Sequence, residues 1–275
     1  MGQIEEAAYA VNRARWDEVV ALHVASPFYR VKEFLDGEDS RLPIERAELG
    51  PVAGKRLVHL QCHFGMDCLS MARLGAEVTG LDFSPKAIEA ARALAGKAGI
   101  SARFVEGNLY DAPALLAGER YDIAYVTWGA INWLPDIAGW ARVVAEVLAP
   151  GGFLYMIEGH PYAMTLDQRE LTAPIVATYP YWHKPEPLVF RSDVSYTGED
   201  TKLQNEEMRE WIHPVADIVG GLLEAGLRLE FLHEHPRLAW QLVPSMLEDE
   251  DRMWRLPDGH PNLPLALSLK AVKDR

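Results

Sequence analysis

The chain has 275 residues, with 27 Lys and Arg against 40 Asp and Glu, for a formal net charge of −13 at pH 7. That acid excess argues against a surface made to coat nucleic acid or anionic membrane. A hydrophobic content of 49% excludes disorder as the main state. Cys62 and Cys68 have no CxxC or Cys/His ligand spacing around them, which suits a reducing compartment better than a disulfide-stapled secreted protein. The first residues carry early acids and no apolar signal-peptide core. The uncharged stretch 123–135 falls well short of the ~20 residues that span a bilayer. A soluble, cytoplasmic protein is expected.

Residues 1–50 read as a helical cap. Val11, Arg15, Val19, Leu22 and Val24 mark a partly amphipathic helix that Ser26-Pro27 ends, and a second short helix over 31–35 stops at Asp36-Gly37. From residue 56, short β-branched runs alternate with helical ones. Residues 56–61 predict a buried strand, 67–74 a helix closed by Gly75, and 77–81 a second strand. Ser84 serves as N-cap, with Pro85 at the first helical position. The helix behind it places Ala87, Ile88, Ala91, Leu94 and Ala95 on one face, and Gly99 ends it.

Residues 103–105, 121–127 and 153–157 supply three more strands, with a helix over 140–148. Pro150-Gly151-Gly152 reads as a type II turn into the fifth strand. This alternation implies an α/β fold with a doubly wound, mostly parallel sheet that binds ligands at the carboxyl ends of its strands. Beyond residue 158 the pattern is irregular and rich in Pro, Tyr, Trp and His. Extended segments over 189–196 and 203–211 suggest a hairpin-like insertion. A helix over 214–225 and strands over 228–232 and 265–272 complete the chain, and the acidic run 248–251 reads as a solvated loop.

The turn after the first strand, His59-Leu60-Gln61-Cys62-His63-Phe64-Gly65, is the most informative segment. It lacks the Lys and Ser/Thr of a phosphate loop and the GxGxxG of a dinucleotide fold, so a pyrophosphate ligand is not expected. Further landmarks are NRARWDE, LQCHFGMDCLSMARLGAEVTGLDFS, RYDIAYVTWGAINWLP, APGGFLYMIEGHP and the closing LPLALSLKAVK. In this order they resemble the class I S-adenosylmethionine-dependent methyltransferases. More narrowly, they resemble a bacterial branch whose first motif reads L-x-C-H-F-G in place of D-x-G-x-G-x-G. The resemblance extends over nearly the whole chain. It implies a Rossmann-like methyltransferase fold with seven strands, the last antiparallel. The division it suggests is one domain: a cap (1–50), a cofactor-binding half (51–158), an acceptor-pocket insertion (159–212) and a C-terminal helix with strands (213–275).

The resemblance also implies S-adenosyl-L-methionine as cofactor, S-adenosyl-L-homocysteine as product, and a small-molecule acceptor methylated at O or N. Gln61, Cys62, His63 and Gly65 would form the turn beside the cofactor's amino-acid end. Gln61 and His63 stand where most of the superfamily has glycine, and the alternative is that they only buttress the turn. Asp82, ending the second strand, is placed to accept hydrogen bonds from both ribose hydroxyls, with Phe83 on the adenine face and Ser84 beside it. Asn108 and Leu109 would meet adenine, with an Asx turn as the other reading of Asn108. Thr127, Trp128 and Trp133 would line the methyl-transfer edge, where ring faces suit a sulfonium. Trp16 and Tyr29 of the cap would close over the cofactor. All four aromatics also read as packing residues.

Tyr179, Tyr181 and Trp182 point to an apolar or aromatic acceptor. A general base is needed only where the acceptor loses a proton, and His160, then His183, are the candidates. The nine histidines show no HxxxH or HExxH on a helix, so no metal is expected. Two rival readings remain. A nicotinamide-dependent oxidoreductase is opposed by the missing GxGxxG, whereas a non-catalytic cofactor-binding protein is suggested by the degenerate glycine motif. No nucleic-acid or membrane partner is expected, and the assembly is left open, a homodimer included.

Overall fold

The computed structural model describes residues 3–166, 175–198, 200–260 and 262–274; part of the irregular stretch after residue 158 lies outside them. The chain opens with α1 (Gln3–Ala25), α2 (Val31–Leu35) and α3 (Pro43–Glu48). Then β1 (Arg56–Leu60), α4 (Met66–Arg73), β2 (Glu77–Asp82), α5 (Pro85–Ala98) and β3 (Arg103–Glu106) follow as the alternation predicts. After α6 (Ala112–Leu115) come β4 (Tyr121–Thr127), α7 (Ile137–Val147) and β5 (Leu148–Gly159). The expected hairpin is β6 (Leu188–Arg191) paired antiparallel with β7 (Glu207–Glu210). Next are α8 (Val215–Glu224) and β8 (Leu227–His235). Short strands β9 (Arg237–Leu238), β10 (Leu247–Glu248) and β11 (Trp254–Arg255) form a small sheet before β12 (Ala266–Lys273).

The central sheet has seven strands in the order β3-β2-β1-β4-β5-β12-β8. Only β12 runs antiparallel to its neighbours β5 and β8. Its central strands bury both faces, as strands covered by helices on each side must. Val58, Leu60, Ala124 and Val126 pack toward Trp140 and Val144 of α7 and Ile218 and Leu222 of α8. Their alternates Leu57, Ile123 and Tyr125 pack on the opposite face with Leu69 of α4 and Ile88 of α5. The strand order reverses between β1 and β4, which opens a crevice at their carboxyl ends.

Two local expectations are corrected. Pro150-Gly151-Gly152 does not precede the fifth strand but lies within it as an irregularity opposite Tyr121 and Ile123. A Cβ on Gly152 would sit 2.8 Å from the Tyr121 carbonyl, so close backbone approach requires glycine there. The acidic run 248–251 is a solvated turn in part only, with Glu248 and Glu250 exposed. Glu248 pairs in β10, while Asp249 accepts from Arg255 at 3.0 Å and Asp251 from Arg237 at 2.7 Å.

The hairpin is too small to be stable alone, and α1 holds it by its backbone. Arg15 donates to the carbonyls of Ser192 (2.8 Å), Asn205 (2.9 Å) and Val194 (3.0 Å). Asn12 donates to Arg209 O at 2.7 Å and accepts from Arg209 N–H at 2.9 Å. Glu18 accepts from the N–H groups of Gln204 and Asn205 at 2.7 and 2.9 Å. Cap and hairpin thus form one roof over the sheet's carboxyl edge. Replacing Arg15 with Met is expected to speed hydrogen exchange across 188–211 at least tenfold while the amides of β1, β4 and β5 keep their protection, measured by exchange mass spectrometry.

Gly65 sits at the start of α4 with φ +75°, and a Cβ there would lie 2.5 Å from Phe104 Cε1 and 3.0 Å from Ala91 Cβ. Strain and overpacking together put the expected cost of Gly65→Ala at roughly 2–4 kcal/mol. Thermal unfolding should register this as a fall in Tm of about 5–12 °C.

Candidate functional site

A cavity of about 1070 Å³ lies between the carboxyl ends of β1, β2 and β4 and the roof of α1 and the hairpin. It exceeds the roughly 300–1000 Å³ that a single small ligand fills. The site residues read from the sequence that line it are Trp16, Tyr29, Gln61, Cys62, His63, Gly65, Asp82, Phe83, Asn108, Leu109, Thr127, Trp128 and Trp133.

The turn after β1 carries the unusual backbone. Gln61 (φ 62°), His63 (φ 49°) and Gly65 (φ 75°) all occupy the left-handed region, as does Trp128 (φ 45°) at the end of β4. Only glycine takes that conformation without strain, so two positions that ordinarily call for glycine hold their side chains at a cost of about 1 kcal/mol or more each. Both side chains are engaged. Gln61 Nε2 donates to Ala130 O at 2.7 Å, which fixes the amide, and its buried Oε1 has no hydrogen-bond partner among the described residues. Cys62 packs over Gly80, where a Cβ would meet its sulfur at 2.7 Å.

Asp82 ends β2 and joins that turn to the next helix. One carboxylate oxygen accepts His63 N–H at 2.8 Å and the other accepts Ser84 N–H at 2.9 Å. Burial pushes its carboxyl up to about 6, against the pull of those two N–H groups. Phe83 meets Tyr9 edge to face at 5.3 Å. Asn108 Oδ1 accepts Tyr110 N–H at 3.0 Å, so the Asx turn is present and the residue also faces the cavity.

The roof adds a polar array. His23 Nδ1 and His63 Nε2 share a hydrogen bond of 2.9 Å, and His23 Nε2 pairs with Ser195 Oγ at 2.8 Å. Burial, and then the neighbouring His23, hold His63 well below the usual imidazole range, so it is neutral at pH 7. The Tyr29 and Tyr196 hydroxyls are hydrogen-bonded to each other. Trp16 presents its ring at steep angles to His63 (5.0 Å) and Trp133 (5.3 Å). Below, Glu45 accepts from Trp128 Nε1 (2.8 Å), Leu42 N–H (3.0 Å) and the Tyr125 hydroxyl; burial, with Asp67 adding to it, pushes its carboxyl up to about 7. Thr127 Oγ1 lies 3.3 Å from His59 Nε2.

Three expected site residues do not reach the cavity. Ser84 is fully buried, accepting Ala87 N–H at 3.0 Å and donating to Asp17 at 2.5 Å, and is a helix cap alone. His160 follows β5 directly, its N–H bonds Leu265 O at 2.8 Å, and it does not line the cavity. Its ring is held by Glu234 (3.0 Å) and by the Tyr162 N–H (3.1 Å). His183 stacks on His213 with ring centroids 5.1 Å apart. Of the three aromatics expected to shape the acceptor pocket, Tyr179 lines the cavity. Tyr181 accepts the Val215 N–H at 3.2 Å, and Trp182 is 71% exposed.

Sequence reasoning missed Arg15 and Glu210 as parts of the site. Glu158, near the end of β5, accepts the N–H groups of Gly129, Ala130 and Ile131 and so shapes the loop after β4. Nothing in the local pattern marks these roles, because each depends on segments far apart in the chain.

Residues 58–152 match the family described as a methyltransferase domain. Among curated relatives, the ubiquinone biosynthesis O-methyltransferase of Methylobacterium sp. (strain 4-46) is 32% identical over 142 residues, covering 51% of this chain and 56% of that protein. The enzyme of that name from Ralstonia nicotianae is 36% identical over 111 residues, 40% of this chain and 45% of the relative. The chain thus spans about half the length of the curated relatives it matches. A solved S-adenosylmethionine-dependent methyltransferase from Mesorhizobium loti is 21% identical with a TM-score of 0.58, covering 86% of this chain and 99% of that one. A DhpI–SAH complex is 14% identical with a TM-score of 0.56 and covers 98% of each chain. At those identities the solved structures speak for the fold. Strand order and comparisons together show a Rossmann-like methyltransferase fold, with residues 58–152 matching a methyltransferase domain.

Proposed function

We propose that this chain transfers a methyl group from S-adenosylmethionine to O or N of a small, apolar or aromatic molecule. The observation that carries the reading is Asp82 facing the cavity while it pins the left-handed turn 61–65. The residues present fit the cofactor. The buried, unpartnered Oε1 of Gln61 suits an ammonium donor, and lone pairs remain on Asp82 for two ribose hydroxyls. Asn108 lines the cavity, and its amide oxygen is of the kind that accepts from an adenine amino group. When bound, the cofactor supplies an electrophilic methyl group on a sulfonium.

The chain's own part is to bind, orient and exclude water. Trp128 and Trp133 border the loop after β4, where their rings favour a cation. Trp16, Tyr29 and His63 close the roof over it. Holding donor and acceptor in line supplies up to about 7–11 kcal/mol of the barrier in favourable cases. We further read the L-Q-C-H-F-G turn as that of the bacterial branch, and the chain as one domain in which cap and hairpin carry acceptor specificity. Both cysteines are free thiols, which suits the cytoplasm.

Isothermal calorimetry of the purified chain should show binding of S-adenosylmethionine and of its demethylated product; no binding of either overturns the reading. Asp82→Asn should weaken binding 10- to 100-fold, about 1.4–2.7 kcal/mol, by removing charge-assisted acceptors. Asp82 is ionised above about pH 6 and protonated below it, so wild-type affinity should fall as pH drops through about 6. The Asn variant should lose that pH dependence.

A further inference from the structure

Glu210 lies at the end of β7, over the loop that follows β4. Asn132 Nδ2 donates to its Oε2 at 2.8 Å, and the next residue, Trp211, donates its N–H to Asn132 O at 2.8 Å. Strand and loop therefore hold each other, and the carboxylate has a set position. Its other oxygen, Oε1, has no hydrogen-bond partner among the described residues, and Glu210 lines the cavity beside Phe190, Met208, Trp211 and Tyr179. Arg15 is the charged group facing it from α1, and three of its five guanidinium N–H groups are given to hairpin carbonyls.

On the other buried carboxylates here both oxygens already accept from the protein. Glu45 serves Tyr125, Trp128 and Leu42; Asp82 serves two backbone amides, and Glu158 serves three. Glu210 keeps an oxygen for a ligand. Tyr179, Phe190, Met208 and Trp211 give this part of the lining an aromatic and apolar face, which suits an aromatic ring. A carboxylate acceptor among them calls for a donor on that ring.

We infer that Glu210 is the catalytic base of this site, taking the proton of a phenol-type hydroxyl on an aromatic acceptor seated against the β6–β7 hairpin. This rests on the proposed methyl transfer. The acceptor oxygen forms the new O–C bond as the S–C bond breaks, the S–C electron pair stays on sulfur, and the hydroxyl proton passes to Glu210 Oε1. Burial pushes the Glu210 carboxyl up to about 7, with Asn132 and Arg15 drawing it down, so near pH 8 it is ionised and more basic than an ordinary glutamate. Asn132 is a positioning residue.

The test compares Glu210→Gln with wild type at about pH 8 on two probes, methylated by S-adenosylmethionine. One is 4-methylphenol, whose hydroxyl has the ordinary phenolic pKa of about 10; the other is 4-nitrophenol, already largely ionised. The Gln variant keeps an oxygen for Asn132, so the fold is retained. It should lose about 100-fold or more in kcat on 4-methylphenol, yet stay within about threefold on 4-nitrophenol, which needs no base. Glu210→Asp should recover part of the loss. Parallel loss on both probes, or no loss on either, overturns the assignment, as does wild-type protein that binds the cofactor and methylates neither phenol. Calorimetry on the same samples separates these outcomes from failure of the methyltransferase reading, which is absence of cofactor binding in wild type.

Discussion

The site depends on one buried carboxylate. Asp82 accepts an N–H from the turn after β1 and another from the start of α5, so two loops that share no sequence meet on one side chain. A buried carboxylate needs such donors to be tolerated at all. Because the donors are backbone groups, they also settle the path of the turn. That path takes Gln61 and His63 into left-handed conformations. It aims the Gln61 amide at the β4 loop and the His63 ring at the cap. Asp82 sets both the ligand-facing edge and the point where roof meets floor.

Strain in the turn has a structural return. Glycine at 61 and 63 would relieve the backbone but remove the bond from Gln61 to Ala130 O and the link from His63 to His23 and Ser195. Those links connect the sheet edge to α1 and to the hairpin region, which Arg15, Asn12 and Glu18 already join to each other. The substituted motif thus makes the cap part of the cavity wall. The same residues put side chains that fill space along the cavity wall where glycine would leave none.

Around this frame the ionisable groups divide by whether their oxygens are spoken for. Glu158 is buried and pushed up to about 7, yet three backbone N–H groups use it to shape residues 129–131. Glu210 has a similar setting with one oxygen unclaimed. Burial and a raised carboxyl alone do not separate a structural acid from a reactive one; the census of hydrogen-bond donors does.

The sequence by itself determined the doubly wound α/β architecture, Ser84 and Gly99 as ends of one helix, and the cluster of residues 61–65, 82–83, 108–109 and 127–133 at one sheet edge. Those features are local: period-2 burial, caps and strand ends act within a few residues, and a parallel sheet brings consecutive strand ends to the same edge. The tertiary structure decided what lies opposite. His160 and His183 looked suitable by their place after β5, but the first is held by Glu234 and the Tyr162 N–H and the second stacks on His213, away from the cavity. Glu210 gave no local sign, since its setting comes from Arg15, Asn132 and Trp211 meeting across long chain separations. Short elements such as α3 and β9–β11 escaped for the same reason. They exist because distant surfaces need covering, and a run of two to six residues carries no period of its own.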